Sequence, residues 1–229
     1  MTDKVYILIA GVNGAGKSTF YHSDYHIGDF FEFCDSASFQ NIQRVNADEI
    51  LREFGDWRNP KDGMEAGRIA VKKVRKFFRD GVSFCQETTL CGRGIVRNIV
   101  TAKANGYKVG IIYVGIQDSD LAVARVAQRV RNGGHGVEPA DIRRRYYESL
   151  SNLNAVMSQC DGVLFFDNTA GFRSVAVYNG HQMQLICDRD LAPAWFREYV
   201  SIPEPEHNLS KGVTPANIHT KRNDNKRGR

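Results

Sequence analysis

Val5-Tyr6-Ile7-Leu8-Ile9-Ala10 runs directly into Gly11-Val12-Asn13-Gly14-Ala15-Gly16-Lys17-Ser18. An unbroken apolar run of that length reads as a strand buried on both faces. The segment after it fits the phosphate-loop pattern G-x-x-x-x-G-K-[ST] without a mismatch. Together they predict a strand, a loop and a helix whose N-terminus and backbone N–H groups surround a phosphate chain. Gly11, Asn13, Gly14, Ala15, Gly16 and Thr19 would form that cradle. Lys17 would place its ammonium on the β- and γ-phosphates, and Ser18 would offer its hydroxyl to Mg²⁺. The expected ligand is a nucleoside triphosphate with its metal.

Downstream, apolar strand-like runs alternate with helical periodicity. Arg44–Asn46, Val82–Gln86, Val109–Val114 and Gly162–Phe166 read as further strands. Between them lie amphipathic or capped helices over about 64–80, 94–104, 119–131 and 139–159. Ser174–Tyr178, Asn179-Gly180 and Gln182–Ile186 form a β-hairpin signal, and a short helix follows around 192–199. This order predicts an α/β fold of the P-loop NTPase type. Its nucleotide-kinase-like, mostly parallel five-stranded sheet is flanked by helices and followed by a C-terminal hairpin at about 172–187. Residues 1–202 would form one such domain. The aromatic-rich stretch from Tyr21 to Gln43 reads as an irregular insert.

Residues 203–229 are poor in apolar side chains and rich in Lys and Arg, so they read as a flexible basic tail. That tail accounts for much of the +5 net charge. No aromatic residues interleave with its charges, which argues against nucleic acid as the partner. The five cysteines form no C-x-x-C pair and read as reduced thiols. With no apolar run near the ~18 residues of a membrane span and no leader-like start, the expected location is the cytoplasm, without membrane contact.

In a parallel sheet, ligands sit at the carboxyl ends of the strands. That rule gathers Lys17 and Ser18 after strand one, Asp48 after strand two, and Glu87, Thr88 and Thr89 after strand three. Asp48 has two readings: a base that accepts a hydroxyl proton during phosphoryl transfer, or the N-cap of a helix beginning at Glu49. Glu87 has three: a water-mediated partner of Mg²⁺, an acceptor from substrate hydroxyls, or the start of a structural turn. Arg125 and Arg129 lie one helical turn apart. With Arg131, Arg143, Arg144 and Arg145 around the turn Gly133-Gly134-His135-Gly136, they suggest a lid over phosphates spanning about 119–146. His135 itself reads as structural.

The ordered combination of Gly11–Thr19, Val45-Asn-Ala-Asp-Glu-Ile50, Glu65-Ala-Gly-Arg68, Phe84-Cys-Gln-Glu-Thr-Thr-Leu90 and the 125–146 arginine stretch resembles the zeta toxin family of P-loop kinases. The resemblance covers about residues 4–170. It implies phosphoryl transfer from ATP, with Mg²⁺, to a hydroxyl of a small molecule such as UDP-N-acetylglucosamine or a related nucleotide sugar. It also implies an antitoxin as protein partner. By the same resemblance Asp48 is the base. Glu87, with Thr89 and Arg93, binds the acceptor, and Arg125, Arg129 and Arg131 contact the ATP phosphates. Where the larger toxins carry Glu-Gly-Thr, this chain has Glu87-Thr88-Thr89, and it lacks their C-terminal extension. A reading from another class is an NTP-hydrolysing switch or ABC-type ATPase that acts on a protein. Against it, the chain has no paired Asp-Glu strand end and no Leu-Ser-Gly-Gly-Gln-like signature.

Overall fold

The computed structural model describes residues 3–23, 31, 33, 34, 39 and 41–201. The basic tail 203–229 and most of the 21–43 insert lie outside the described residues. Among the described residues, one seven-stranded sheet has the order β2-β3-β1-β4-β5-β6-β7. The strands are β1 Lys4–Ala10, β2 Gln43–Val45, β3 Phe84–Thr88, β4 Tyr107–Gly115, β5 Gly162–Asp167, β6 Arg173–Tyr178 and β7 Met183–Leu185. The first five are parallel, as expected. The hairpin is not an appendage: β6 pairs antiparallel with β5, and β7 with β6, so it extends the same sheet. Its turn is longer than a two-residue Asn-Gly connection. Asn179 Oδ1 accepts from the backbone N–H groups of His181 (3.1 Å) and Gln182 (2.8 Å), which closes a four-residue loop.

The flanking helices are α1 Lys17–Tyr21, α2 Ala47–Phe54, α3 Pro60–Asp80, α4 Arg93–Ala104, α5 Ser119–Arg131, α6 Pro139–Met157 and α7 Ala194–Tyr199. Helix α3 shows how sequence fixes such an element. Asn59 caps its start by accepting from Lys61 N–H, Pro60 opens the first turn, and Gly81 at φ 67° ends it. Ala66, Ala70, Val74 and Phe78, each four residues on, form its buried stripe. Phe78 meets the rings of Tyr6, Phe84 and Tyr107 at 5.2, 5.1 and 5.5 Å. Truncating it to Ala would cost about 3–5 kcal/mol.

Strand β1 is the centre of the core, with Tyr6 to Ala10 fully buried between β3 and β4. Its register sets Ile9 opposite Glu87 and Ala10 opposite Thr88, so the end of β3 lies beside the start of the glycine-rich loop. At the far end of β5, buried Asp167 accepts from Trp195 Nε1 (3.0 Å), Thr169 Oγ1 (2.8 Å) and Arg173 Nε (3.1 Å). These bonds tie α7 and β6 to the strand end and hold the 168–172 connection against the loop. Gly115 makes the arrangement possible, because a Cβ there would come within 2.3 Å of the Trp195 ring. From the insert, Phe31 and Phe39 are buried in the core.

Candidate active site

A cleft of about 700 Å³ opens at the carboxyl ends of the parallel strands. Its floor is the glycine-rich loop. Gly14 and Gly16 have φ of 84° and 101°, in the left-handed region that L side chains rarely adopt. Close packing adds a second constraint. A Cβ on Gly16 would stand 2.4 Å from Asn168 Nδ2, and one on Gly14 would stand 2.7 Å from the Ala122 carbonyl oxygen. Asn168 Nδ2 donates to the Ala15 carbonyl (2.8 Å) and fastens the loop to the end of β5. The strand-end rule, applied to β5 as it was to β1 through β3, points to Asn168; the sequence reading stopped one strand short.

Lys17 is buried, and its ammonium donates to the loop's own carbonyls, Gly11 O (2.8 Å) and Val12 O (3.0 Å). Burial pushes its pKa down, opposed by the negative charges of Glu87 and Asp48. Those two carboxylates and Lys17 therefore share one electrostatic neighbourhood.

The competition over Asp48 resolves at α2. The helix starts at Ala47, and its cap is Asn46, whose Oδ1 accepts from Asp48 N–H (2.9 Å) and Glu49 N–H (3.4 Å). The capping reading of Asp48 is thereby corrected. Its carboxylate is relieved of backbone duty and lines the cleft. Among the described residues it makes no hydrogen bond; its one ion-pair contact is His135 Nε2, 3.5 Å from Oδ1.

Glu87 also lines the cleft, but both its oxygens are engaged. One accepts from Ser18 Oγ at 2.9 Å and the other pairs with Arg44 Nη2. Arg44 also reaches Glu49 at 2.9 Å and lies over the Tyr21 ring at 4.1 Å. The arrangement sets Glu87 beside the metal-side hydroxyl. Arg44 was missed in the sequence because it sits inside a strand, not at its end.

After β3 the chain turns sharply at Leu90, the one non-glycine residue with positive φ (61°) among the described residues. Leu90 N–H donates to Thr88 Oγ1 (3.0 Å), and its carbonyl accepts from Asn152 Nδ2 (2.9 Å), bonds that offset a left-handed cost of roughly 1–2 kcal/mol. The turn brings Thr89, Cys91 and Gly92 to the cleft wall. Arg93, one residue further, is exposed and does not line it.

Helix α5 packs on the loop through Ala122 and Val126, not through the Val123-Val126-Ala127-Val130 face that the pattern suggested; Ala127 is exposed. This rotation turns Arg125 and Arg129 into the cleft beside Gly14. Arg125 Nη2 donates to the Thr169 carbonyl at 3.0 Å. Arg129 differs: its Nε and Nη2 are buried and have no hydrogen-bond partner. Burial lowers its pKa, countered by Asp48. Arg131 is corrected by the same rotation, being spent on Gln128 outside the cleft. From α6, Arg145 Nη1 reaches Asn13 Oδ1 in the loop (3.1 Å), while Arg144 is divided between Asp141 and Glu148 at 2.9 Å each.

The site thus fits a bound triphosphate on independent grounds: a left-handed glycine cradle, an ammonium resting on loop carbonyls, and a buried guanidinium with two unused donors. Ser18, with Glu87 behind it, suits a hydrated Mg²⁺. Among the described residues no group of three or more His, Cys, Asp or Glu could hold a metal unaided, which is the situation expected where most metal ligands are waters and phosphate oxygens.

No family model matches the chain. An uncharacterized protein of Haemophilus influenzae is 30% identical over 141 residues, which are 61% of this chain and 91% of that protein. Among solved structures, one from the PezAT chromosomal toxin–antitoxin system of Streptococcus pneumoniae superposes with a TM-score of 0.52. It is 17% identical, over 75% of this chain and 72% of its own. The AvrRxo1-ORF1:-ORF2 complex with ATP gives a TM-score of 0.63 at 14% identity, over 91% of this chain and 66% of its own. The fold is that of the zeta-toxin-like P-loop kinases.

Proposed function

We propose that this chain, which belongs to the family of the Haemophilus influenzae protein, is an ATP-dependent kinase that phosphorylates a hydroxyl group of a small molecule. The observation that carries the reading is Asp48: a carboxylate released from helix capping by Asn46, in the same cleft as the phosphate loop and Arg129. In the proposed reaction the acceptor hydroxyl oxygen forms a bond to the γ-phosphorus. The bond to the β,γ-bridging oxygen breaks, ADP keeps its electron pair, and Asp48 takes the hydroxyl proton. Lys17 leaves the Gly11 and Val12 carbonyls for the phosphates. Arg129 supplies its unused donors to the transferring group, and Arg125 sits one turn behind it. Mg²⁺, held by Ser18 and buttressed through water by Glu87, would neutralise charge on the β- and γ-oxygens when bound.

Helices α5 and α6, over about 119–146, act in this reading as the lid, and residues 1–202 as one kinase domain. For the acceptor we infer UDP-N-acetylglucosamine or a related nucleotide sugar, supported by the Val45–Ile50 and Phe84–Leu90 motifs. Thr89 lines the cleft near Asp48 and is the surviving acceptor contact; Glu87 moves to the metal side and Arg93 drops out. By likeness to PezAT, an antitoxin-like protein partner belongs to the proposal. Growth arrest on expressing the chain alone, relieved by Asp48→Asn, would support it.

The deciding experiment incubates the protein with labelled MgATP and a panel of nucleotide sugars, nucleosides and metabolites. Asp48→Asn should bind ATP with unchanged affinity and lose at least ~10²-fold in transfer. Transfer by the variant at the wild-type rate would remove Asp48 as the base. Label on a compound without a nucleotide would overturn the acceptor class alone.

A further inference from the structure

We propose that His135 is a positioning residue for Asp48, holding the carboxylate from the side away from the acceptor; the inference rests on the reading of Asp48 as the base. The loop that carries His135 is built for the purpose. Helix α5 ends with Gly133 N–H donating to Val130 O (2.9 Å) and Gly134 N–H to Arg129 O (2.8 Å), with Gly133 at φ 80°. A side chain on Gly134 would meet Arg129 Cγ at 2.6 Å, and one on Gly136 would meet the Trp57 ring at 2.5 Å. The two glycines thus let the loop lie flat against the root of Arg129 on one side and against Trp57 on the other. The imidazole between them is pinned edge-on to Trp57, with centroids 6.1 Å apart, and its side chain is only 10% exposed.

Nε2 faces Asp48 Oδ1 at 3.5 Å, just beyond a formed hydrogen bond. A small inward movement of the lid loop closes that gap. Because the facing atom is a carboxylate oxygen, the tautomer that fits is Nε2–H, a donor. Donation to Oδ1 fixes the carboxylate plane and leaves Oδ2 for the acceptor hydroxyl. The same loop segment holds the Arg129 stem, so the step that engages the γ-phosphate also sets the base. The groups facing His135 are Asp48 and Arg52 from α2, Arg129 from α5 and Arg145 from α6. Burial first, then the three arginines, lower its pKa below the usual value, while Asp48 opposes them. The imidazole is accordingly a neutral donor at pH 7, not a competing cation.

The test combines spectroscopy with turnover. In ¹H–¹⁵N spectra of the labelled protein, the His135 resonances, assigned by their loss in His135→Gln, should report the Nε2–H tautomer. Asp48→Asn should shift their titration to lower pH. In MgATP turnover, scored as transfer to the acceptor or, with none supplied, to water, His135→Leu should fall at least ~10-fold with ATP affinity unchanged. His135→Gln, whose amide nitrogen reaches where Nε2 stands, should recover most of the loss; His135→Asn, one carbon shorter, should not. If His135→Leu does not fold, the contrast between Gln and Asn carries the test. In an Asp48→Asn background, His135→Leu should cost nothing more. Wild-type turnover in His135→Leu, a loss that adds in full to that of Asp48→Asn, or weakened ATP binding in step with rate would each overturn the proposal. Wild-type turnover in Asp48→Asn would instead remove the base on which it rests, a different and recognisable failure.

Discussion

Arg129 offers a perturbation in which stability and function should move in opposite directions. Its Nε and Nη2 are buried without a partner in the ligand-free protein. A buried donor left unsatisfied costs about 1–3 kcal/mol. The attraction of Asp48 returns part of that cost, since it is the chief influence holding the guanidinium charged against burial. Arg129→Met keeps the aliphatic stem that packs on Gly134 and deletes the orphaned donors. The net gain expected in the free protein is about 1 kcal/mol, or a rise of roughly 2–4 °C in Tm for a chain of this size. Binding should respond in the other sense. Each lost hydrogen bond between guanidinium and phosphate is worth about 1.5–3 kcal/mol, so MgATP affinity should fall at least ~10-fold. Differential scanning calorimetry of the free protein and isothermal titration with MgATP read the two effects separately. A variant that is less stable without ligand, or one that binds MgATP as wild type does, would show that the guanidinium is a structural element and refute the reasoning.

Gly16→Ala should abolish MgATP binding and cost ~1–2 kcal/mol in stability, because φ 101° strains any L residue and the new Cβ meets Asn168 Nδ2; both are read by titration and thermal unfolding. The lowered pKa of His135 makes the folded state resist protonation, so its share of stability is complete above about pH 6.5. That share is lost as pH falls from there through the depressed folded value, and His135→Gln should flatten this part of a denaturation series. Glu87→Gln should weaken the Mg²⁺ dependence of ATP binding more than it raises KM for the acceptor, measured by titrating ATP with and without the metal. Burial pushes the thiols of Cys85 and Cys160 up to about 12, so both should stay silent to a thiol reagent at pH 8 until the chain unfolds.

The parallel sheet was legible in the sequence because its signals are local. A continuous apolar run such as Val5–Ala10 has few homes other than a strand covered on both faces, and the loop after it dictates a helix. Asn59-Pro60 and Gly81 mark the ends of α3 by backbone chemistry that any context preserves. The face of α5 was not legible. Val123, Val126, Ala127 and Val130 outnumber the alternative in apolar residues, yet Ala122 and Val126 face inward. What decides the rotation is Gly14, whose missing side chain lets the Ala122 carbonyl come close, and that residue lies more than a hundred positions away. The reassignment of Arg131 follows from this one contact.

The assignment of roles within the cleft exposes a sharper limit. Strand-end position located Asp48 and Glu87 but could not say what each would be bonded to, and bonding separates their roles. Asn46 takes the capping duty two residues before Asp48, so the carboxylate that local rules would have spent is left for chemistry. Arg44 and Ser18 take both oxygens of Glu87, so the carboxylate that resemblance gave to the acceptor is drawn to the metal side. His135 carried no local signal, being one histidine in a glycine turn. Its meaning comes from three elements at once: Trp57 before α3 as a wall, Arg129 on α5 as a root, and Asp48 on α2 as the target. A base poised for phosphoryl transfer must be both free of backbone bonds and held in one orientation. Asn46 meets the first demand within a turn of helix; the second can only be met from across the cleft, where the partner's distance in sequence hides it.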